Sequence, residues 1–133
     1  MSQPARIVFV CVENSNRSQL AQAFARIHGG AFVDAYSAGS RPSGHVNPRA
    51  KRLLSERGYD MHGHVSQSLD ALPHMTFDVV IGMGCGDEGC PLLKARRHEE
   101  WNIPDPRDAD DARYSAIADM IEQKVQQLLA SLR

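Results

Sequence analysis

The chain has 133 residues, with 15 Lys and Arg against 16 Asp and Glu, a net charge of -1 and three cysteines. That length suits one domain, residues 1–133, with a real core. The even charge, without a basic run, excludes a polyanion- or bilayer-binding surface, so neither nucleic acid nor membrane is an expected partner. The opening Met1-Ser2-Gln3-Pro4-Ala5-Arg6 enters a strand of only about five apolar residues, too short for a signal segment or a span, so a cytoplasmic protein is expected. An odd number of cysteines there suits catalysis or redox work better than a disulfide framework.

The elements are predicted as follows. Residues 5–11 read as a buried strand and 18–28 as a helix. Leu20, Ala23, Phe24 and Ile27 share one face of that helix, and Gly29-Gly30 stops it. Residues 31–37 read as a second strand, closing a parallel crossover unit at Ala38-Gly39. After a polar loop over 40–46, Asn47 is an N-cap and Pro48 the first residue of a helix. That helix runs to about Arg57, with Ala50, Leu53 and Leu54 inward, and Gly58 ends it. A short helical turn is expected near Ser66–Leu72, stopped before Pro73. Phe77–Met83 is a third strand. His98–Ile103, around Trp101, is a plausible fourth. Pro104-Asp105-Pro106 breaks the backbone. The last helix, from about Asp110 to Leu132, carries the stripe Tyr114, Ile117, Ile121, Val125, Leu128 and Leu132. The sum is an α/β fold: an open, mostly parallel four-stranded sheet with helices on both faces. Ligands bind such sheets at the carboxyl ends of the strands, which puts the loops after strands one and three on the same edge.

The first of those loops holds Cys11-x5-Arg17-Ser18. A strand-to-helix loop turns backbone N–H groups inward, and these join the positive helix terminus in a site for a tetrahedral oxyanion. The loop residues are Val12, Glu13, Asn14, Ser15, Asn16, Arg17 and Ser18. Arg17 offers a planar fork to two oxygens. A positive field of this kind favours the thiolate of a cysteine beneath the anion, a nucleophile aimed at its central atom. Against this stands a bland reading, in which Cys11 is a small core residue and Arg17 is solvated.

The loop after strand three carries Cys85-x4-Cys90 among Gly82, Gly84, Gly86 and Gly89. These glycines let the chain fold back far enough to join the two cysteines. Cys85, nearer the strand end, is better placed to reach Cys11, and Cys90 to resolve the bond afterwards. Two other readings remain open: inert buried thiols, or a zinc site with His98 that lacks a fourth ligand. Asp105, held between prolines, is either a general acid–base towards a leaving oxygen or an ordinary turn aspartate. The six histidines form no convincing set, and His62 and His64 are expected in a surface loop.

Taken together, Val10-Cys11-x5-Arg17-Ser18-Gln19, Ser37-Ala38-Gly39, Asn47-Pro48 and Asp105-Pro106 resemble the low-molecular-weight tyrosine phosphatase fold over nearly the whole chain. Within it, Met83-Gly84-Cys85-x4-Cys90-Pro91 and Trp101-x3-Asp105-Pro106 resemble the thioredoxin-coupled arsenate reductases. The phosphatase branch has tyrosines after its Asp-Pro, where Arg107-Asp108 stand here.

The resemblance implies a three-thiol relay. Cys11 attacks arsenate held by the loop and Arg17, and Asp105 protonates the departing oxygen. Cys85 then attacks Cys11, and Cys90 attacks Cys85. An external thiol reductant, thioredoxin, reduces the Cys85–Cys90 bond. It also implies that Asn14 and Ser18 support the loop and the nucleophile, that phosphate and sulfate compete with arsenate, and that the protein is a monomer with no bound cofactor.

Three departures bear on this. Asn16 stands where many relatives have cysteine. Glu13 puts a charge where small residues are common, which weakens anion affinity. Gln22, Val65 and Gln67 replace the groups that hold a potassium ion in some members, so no metal is expected. Two other function classes compete: a phosphomonoester hydrolase using Cys11, Arg17 and Asp105 alone, and a non-enzymatic oxyanion or metal sensor.

Overall fold

The computed structural model describes residues 3–84 and 93–133. Four strands, β1 (Ala5–Cys11), β2 (Val33–Gly39), β3 (Phe77–Gly82) and β4 (Ala95–Glu100), form one sheet in the order β2-β1-β3-β4, with every pair parallel. β1 is central because it is apolar on both faces: Ile7, Val8, Phe9 and Val10 are all fully buried. Its pleat divides the core in two. Ile7, Phe9 and Cys11 face a cluster built from α1 (Arg17–Gly29), α2 (Pro48–Glu56) and α3 (Asp111–Leu132). Val8 and Val10 face a smaller cluster with Ala38, Leu72, Phe77 and Val80. Among the described residues, the only helical cover near that second face is the 3-10 turn Leu69–Ala71.

Local chemistry fixes the helix ends. The Asn47 side chain accepts from Arg49 N (2.8 Å) ahead of Pro48, and Asp110 accepts from Arg113 N (2.8 Å). Gly30 (φ 51°) follows α1, and Gly58 (φ 86°) follows α2. The 3-10 turn stops at Leu72, which is extended before Pro73, as a residue preceding proline must be.

Two elements differ from expectation. β4 lies at Ala95–Glu100, three residues ahead of the predicted strand. Trp101 and Ile103 are buried, but they dip into the core after the ladder ends, so their apolarity marks a plug and not a strand. The sequence Ala-Arg-Arg-His-Glu-Glu of β4 is a charged, exposed edge, which resists pairing with a second chain. Ile27 is 40% exposed. Residues 18–25 of α1 are buried all round, whereas Arg26 and Ile27 in its last turn are exposed. Among the described residues, no helix is long and apolar enough to cross a membrane.

Candidate active site

The loop from Cys11 to Arg17 leaves the carboxyl end of the central strand and is held from outside by its carbonyls. Cys11 O accepts from Ser40 N (3.2 Å), Val12 O from Arg41 N (2.8 Å), Glu13 O from Ser43 N (3.0 Å) and Ser15 O from Asn47 N (3.1 Å). Asn14 O accepts from Gln19 Nε2 (3.1 Å) and Asn16 O from Leu20 N (2.9 Å). In a trans peptide the N–H points opposite to the carbonyl before it. Pulling these carbonyls outward therefore turns the following N–H groups inward. Among the described residues, the N–H groups of Glu13, Asn14, Ser15, Asn16 and Arg17 find no acceptor. They form a nest of donors at the start of α1, built for an anion.

The curvature has a cost, met at two positions. Asn14 sits at φ 52°, in the left-handed region that its short amide tolerates. Gly39, at the end of β2, lies directly beneath the loop. A Cβ there would stand 2.5 Å from Val12 O, so no side chain fits.

Cys11 is a free thiol, 3% exposed at the floor of the nest. Its Sγ lies 2.9 Å from Ser18 Oγ. Ser18 Oγ accepts from Asn14 Nδ2 (2.8 Å), which leaves its own hydrogen available to the sulfur, the polarity that suits a thiolate. Behind Asn14 the chain of bonds continues. Asn14 Oδ1 accepts from Gln19 Nε2 (3.1 Å) and Gln67 N (2.9 Å), and Gln19 Oε1 accepts from His64 Nδ1 (2.9 Å). His64 Nε2 then accepts from Tyr59 Oη (2.7 Å) and Arg26 Nη1 (3.4 Å). Burial, reinforced by the Arg26 charge, pushes the His64 pKa down to about 4. The ring is therefore neutral at pH 7, with its proton on Nδ1 as these bonds require. His64 is a buried part of the loop's support, and not the surface-loop residue expected from its neighbours in sequence.

The mouth is closed by the Asp-Pro turn. A pocket of about 170 Å3 is lined by Cys11, Val12, Glu13, Ser15, Asn16, Arg17, Asp105 and Arg107. Drug-sized ligands need pockets of about 300 Å3 or more, so this one suits a single small anion. Arg17 spans it. Its Nη1 donates to Ile103 O (3.1 Å) and its Nη2 lies 3.9 Å from Asp105 Oδ2. The Arg17 side chain is 13% exposed against 49% for Asp105, so the cation lies within and the acid at the solvent edge. Arg107 N donates to Asp105 Oδ1 (3.0 Å), and the Arg107 side chain pairs with Glu13 across the opening. Gly84 approaches from the third side: at φ 80°, a Cβ built on it would stand 2.7 Å from Arg17 Nη1.

A nucleophilic sulfur under an oxyanion nest, an internal arginine and a peripheral carboxylate can displace an oxygen from a tetrahedral centre. Comparison with known proteins agrees. The model of the low molecular weight phosphotyrosine protein phosphatases matches residues 6–133. The chain belongs to that family.

Within the family, it is 32% identical over 123 residues to arsenate reductase 2 of Staphylococcus saprophyticus, covering 91% of this chain and 93% of that one. A solved arsenate reductase in a phosphate-binding state superposes with a TM-score of 0.84 at 28% identity, over 97% of this chain and 99% of that one. The thioredoxin-dependent arsenate reductase of Corynebacterium glutamicum gives a TM-score of 0.80 at 30% identity, over 98% of this chain and 62% of that one.

Of the expected site residues, Cys11, Arg17 and Asp105 meet in one pocket with Val12, Glu13, Ser15 and Asn16. Asn14 and Ser18 lie just behind it, fully buried. Cys85 and Cys90 lie outside the described residues. The supporting roles of four residues were not read from the sequence: Gln19, which stood only in the family motif, Tyr114, which stood only in the α3 stripe, His64 and Arg49. Arg49 donates from α2 to Ala109 O (2.5 Å) and Pro106 O (2.8 Å), and its guanidinium stacks 4.3 Å from the Tyr114 ring centroid. Tyr114 Oη donates to Asn16 Oδ1 (2.9 Å). Burial raises the Tyr114 pKa against the pull of Arg49 and Arg52, so this hydroxyl stays protonated. Asn16 thus anchors the loop to α3. Gln22 and Gln67 both bond into β2 at Ser37, through Ser37 Oγ (2.6 Å) and Ser37 O (3.0 Å). Among the described residues, no group of three His, Cys, Asp or Glu is arranged to hold a metal.

Proposed function

We propose that this chain is an arsenate reductase working through a three-thiol relay, as a cytoplasmic, single-domain monomer without a bound cofactor. Arsenate occupies the nest, with its oxygens on the loop N–H groups and on Arg17. The Cys11 thiolate attacks arsenic: an As–S bond forms, an As–O bond breaks, and the oxygen leaves as water with a proton from Asp105. The Cys85 thiolate then attacks Cys11 Sγ. The S–S bond forms as the S–As bond breaks, and its electron pair stays on arsenic, which leaves as arsenite. Cys90 attacks Cys85, frees Cys11 and leaves a Cys85–Cys90 disulfide. An external dithiol reduces that bond and so supplies the two electrons.

The observation that carries this reading is Gly84. It rests against Arg17, which lines the pocket, and in the sequence it is followed directly by Cys85, the thiol that the relay needs to attack Cys11. The thioredoxin dependence of the C. glutamicum relative supports thioredoxin as the reductant.

A phosphatase reading rests on Cys11, Arg17 and Asp105 alone, since all three line the pocket and an anion nest accepts phosphate as readily. One experiment separates the two. Arsenate-dependent NADPH oxidation is followed through thioredoxin and its reductase, with glutaredoxin and glutathione in a parallel arm. Wild type is compared with Cys11→Ser, Cys85→Ser and Cys90→Ser, beside hydrolysis of p-nitrophenyl phosphate. The relay predicts arsenate turnover lost in all three variants and hydrolysis lost only in Cys11→Ser. Brisk hydrolysis without arsenate turnover in either arm overturns it in favour of a phosphatase.

A further inference from the structure

Glu13 and Arg107 are the two charged side chains at the pocket that the relay does not use. Glu13 lies in the nest loop, two residues after the nucleophile, and Arg107 lies two residues after the acid. Both line the pocket, and they form an ion pair from one wall of its mouth to the other. Neither is needed to shape its own loop. Glu13 is held by its backbone carbonyl, which accepts from Ser43 N (3.0 Å) and Ser66 Oγ (3.0 Å). Arg107 holds Asp105 by its backbone N–H. The side chains are therefore free to serve the opening.

We propose that the Glu13–Arg107 bridge is a specificity device that admits a free inorganic oxyanion and holds out the ester group of a phosphomonoester. This rests on reading the pocket as an oxyanion site attacked from Cys11. In an in-line displacement the leaving oxygen lies opposite the nucleophile. With Cys11 at the floor, that oxygen points out of the mouth, towards Asp105. In arsenate or phosphate it ends there, beneath the bridge. In an ester it carries a carbon substituent, and an aromatic ring on it must pass where the Glu13 and Arg107 side chains meet.

The same pair settles a charge problem. An unpaired carboxylate at position 13 repels a dianion in the nest, and Arg107 neutralises it at close range. The bridge thus lets the loop carry Glu13 without the loss of anion affinity that its charge alone implies. Both side chains are exposed, 57% for Arg107 and 38% for Glu13. The attraction between them is therefore weak, and the exclusion comes mainly from the space the two side chains fill.

The test compares ester with free anion on the same protein. It measures kcat/KM for p-nitrophenyl phosphate and the Ki of inorganic phosphate as its competitor, in wild type, Glu13→Ala, Arg107→Ala and the double variant. The double variant removes filling and charge together. Its ester kcat/KM is expected to rise by about fivefold to tenfold, the scale set by one pocket contact, with the phosphate Ki within about threefold of wild type. Arg107→Ala strands the carboxylate and should weaken phosphate several-fold, whereas Glu13→Ala should tighten it. An ester kcat/KM in the double variant that does not exceed wild type, or single variants that shift the phosphate Ki in the same direction, overturns the proposal. Thermal melts of all four proteins separate these effects from unfolding. The arsenate reduction assay is read separately. Its failure removes the reductase reading but leaves the ester-to-anion ratio to be decided by these four proteins.

Discussion

At the scale of single residues, the support of the nucleophile is a run of buried polar groups from Cys11 through Ser18, Asn14 and Gln19 to His64. Each is satisfied, and that is what makes a polar core tolerable. Its weak point is His64. The folded state holds this ring neutral down to about pH 4, whereas an unfolded histidine takes a proton near pH 6.5. Between those values the unfolded chain binds the extra proton, so stability falls as pH falls through that window and levels off below it. From pH 7.5 to pH 5 the expected loss from this group is about 2 kcal/mol. Urea unfolding at the two pH values checks it, with His64→Asn as control. The variant should be less stable at pH 7.5 and lose less on acidification, and an equal loss in both proteins would show that His64 is not responsible. Cys11, Arg17 and Ser18 could be read from the sequence because their chemistry is local, a strand end and a helix start within eight residues. Gln19 and His64 could not, because what defines them is a contact across 45 positions. A histidine two residues from His62, in a polar stretch, gives no sign that it points inward.

At the scale of elements, the same contrast holds for what aims the acid. Asn47-Pro48 and Asp110 announced the starts of α2 and α3, and the apolar stripe of α3 was legible because it repeats at helical spacing. β4 was misplaced because an edge strand with charged residues has no apolar alternation to register. Nor did the sequence show that α2 and α3 meet over the Asp-Pro turn. There Arg49 ties Pro106 and Ala109 by their carbonyls and stacks on Tyr114, which in turn bonds Asn16 of the nest. Arg49 thus fixes the Asp105 turn relative to the Cys11 loop, and under the proposed mechanism it is a positioning residue. Arg49→Met keeps the aliphatic stem but loses both hydrogen bonds. If Asp105 is the proton donor, as proposed, it should lower kcat about tenfold for aryl phosphates with poor leaving groups, which need that proton, and far less for those with good ones. A series of aryl phosphates of graded leaving-group acidity measures this. The Arg49→Met line should be steeper than wild type, and a parallel line displaced downward would mean that Arg49 only supports the fold.

At the scale of the whole molecule, the parallel order β2-β1-β3-β4 brings distant stretches of chain to one edge of the sheet. The nest follows β1, its clamp over residues 40–47 follows β2, and Gly84 follows β3. Every one of these connections leaves the carboxyl end of its strand, where such sheets bind ligands. An anion in the nest therefore joins parts that otherwise meet only through neighbours, and its binding should register in the stability of the entire fold. A ligand that binds only the folded state stabilises it by about 2.7 kcal/mol at a concentration 100 times its Kd. For a chain of this length, that raises Tm by several degrees. Inorganic phosphate is the probe, since the proposed oxyanion site would take it and it is not reduced. Wild type should gain that shift, with a logarithmic dependence on phosphate concentration. Arg17→Gln removes the fork that grips two oxygens and should lose most of the shift, whereas Asp105→Asn, at the solvent edge of the pocket, should keep it. Equal shifts in wild type and Arg17→Gln would mean that phosphate stabilises the protein from somewhere other than this pocket.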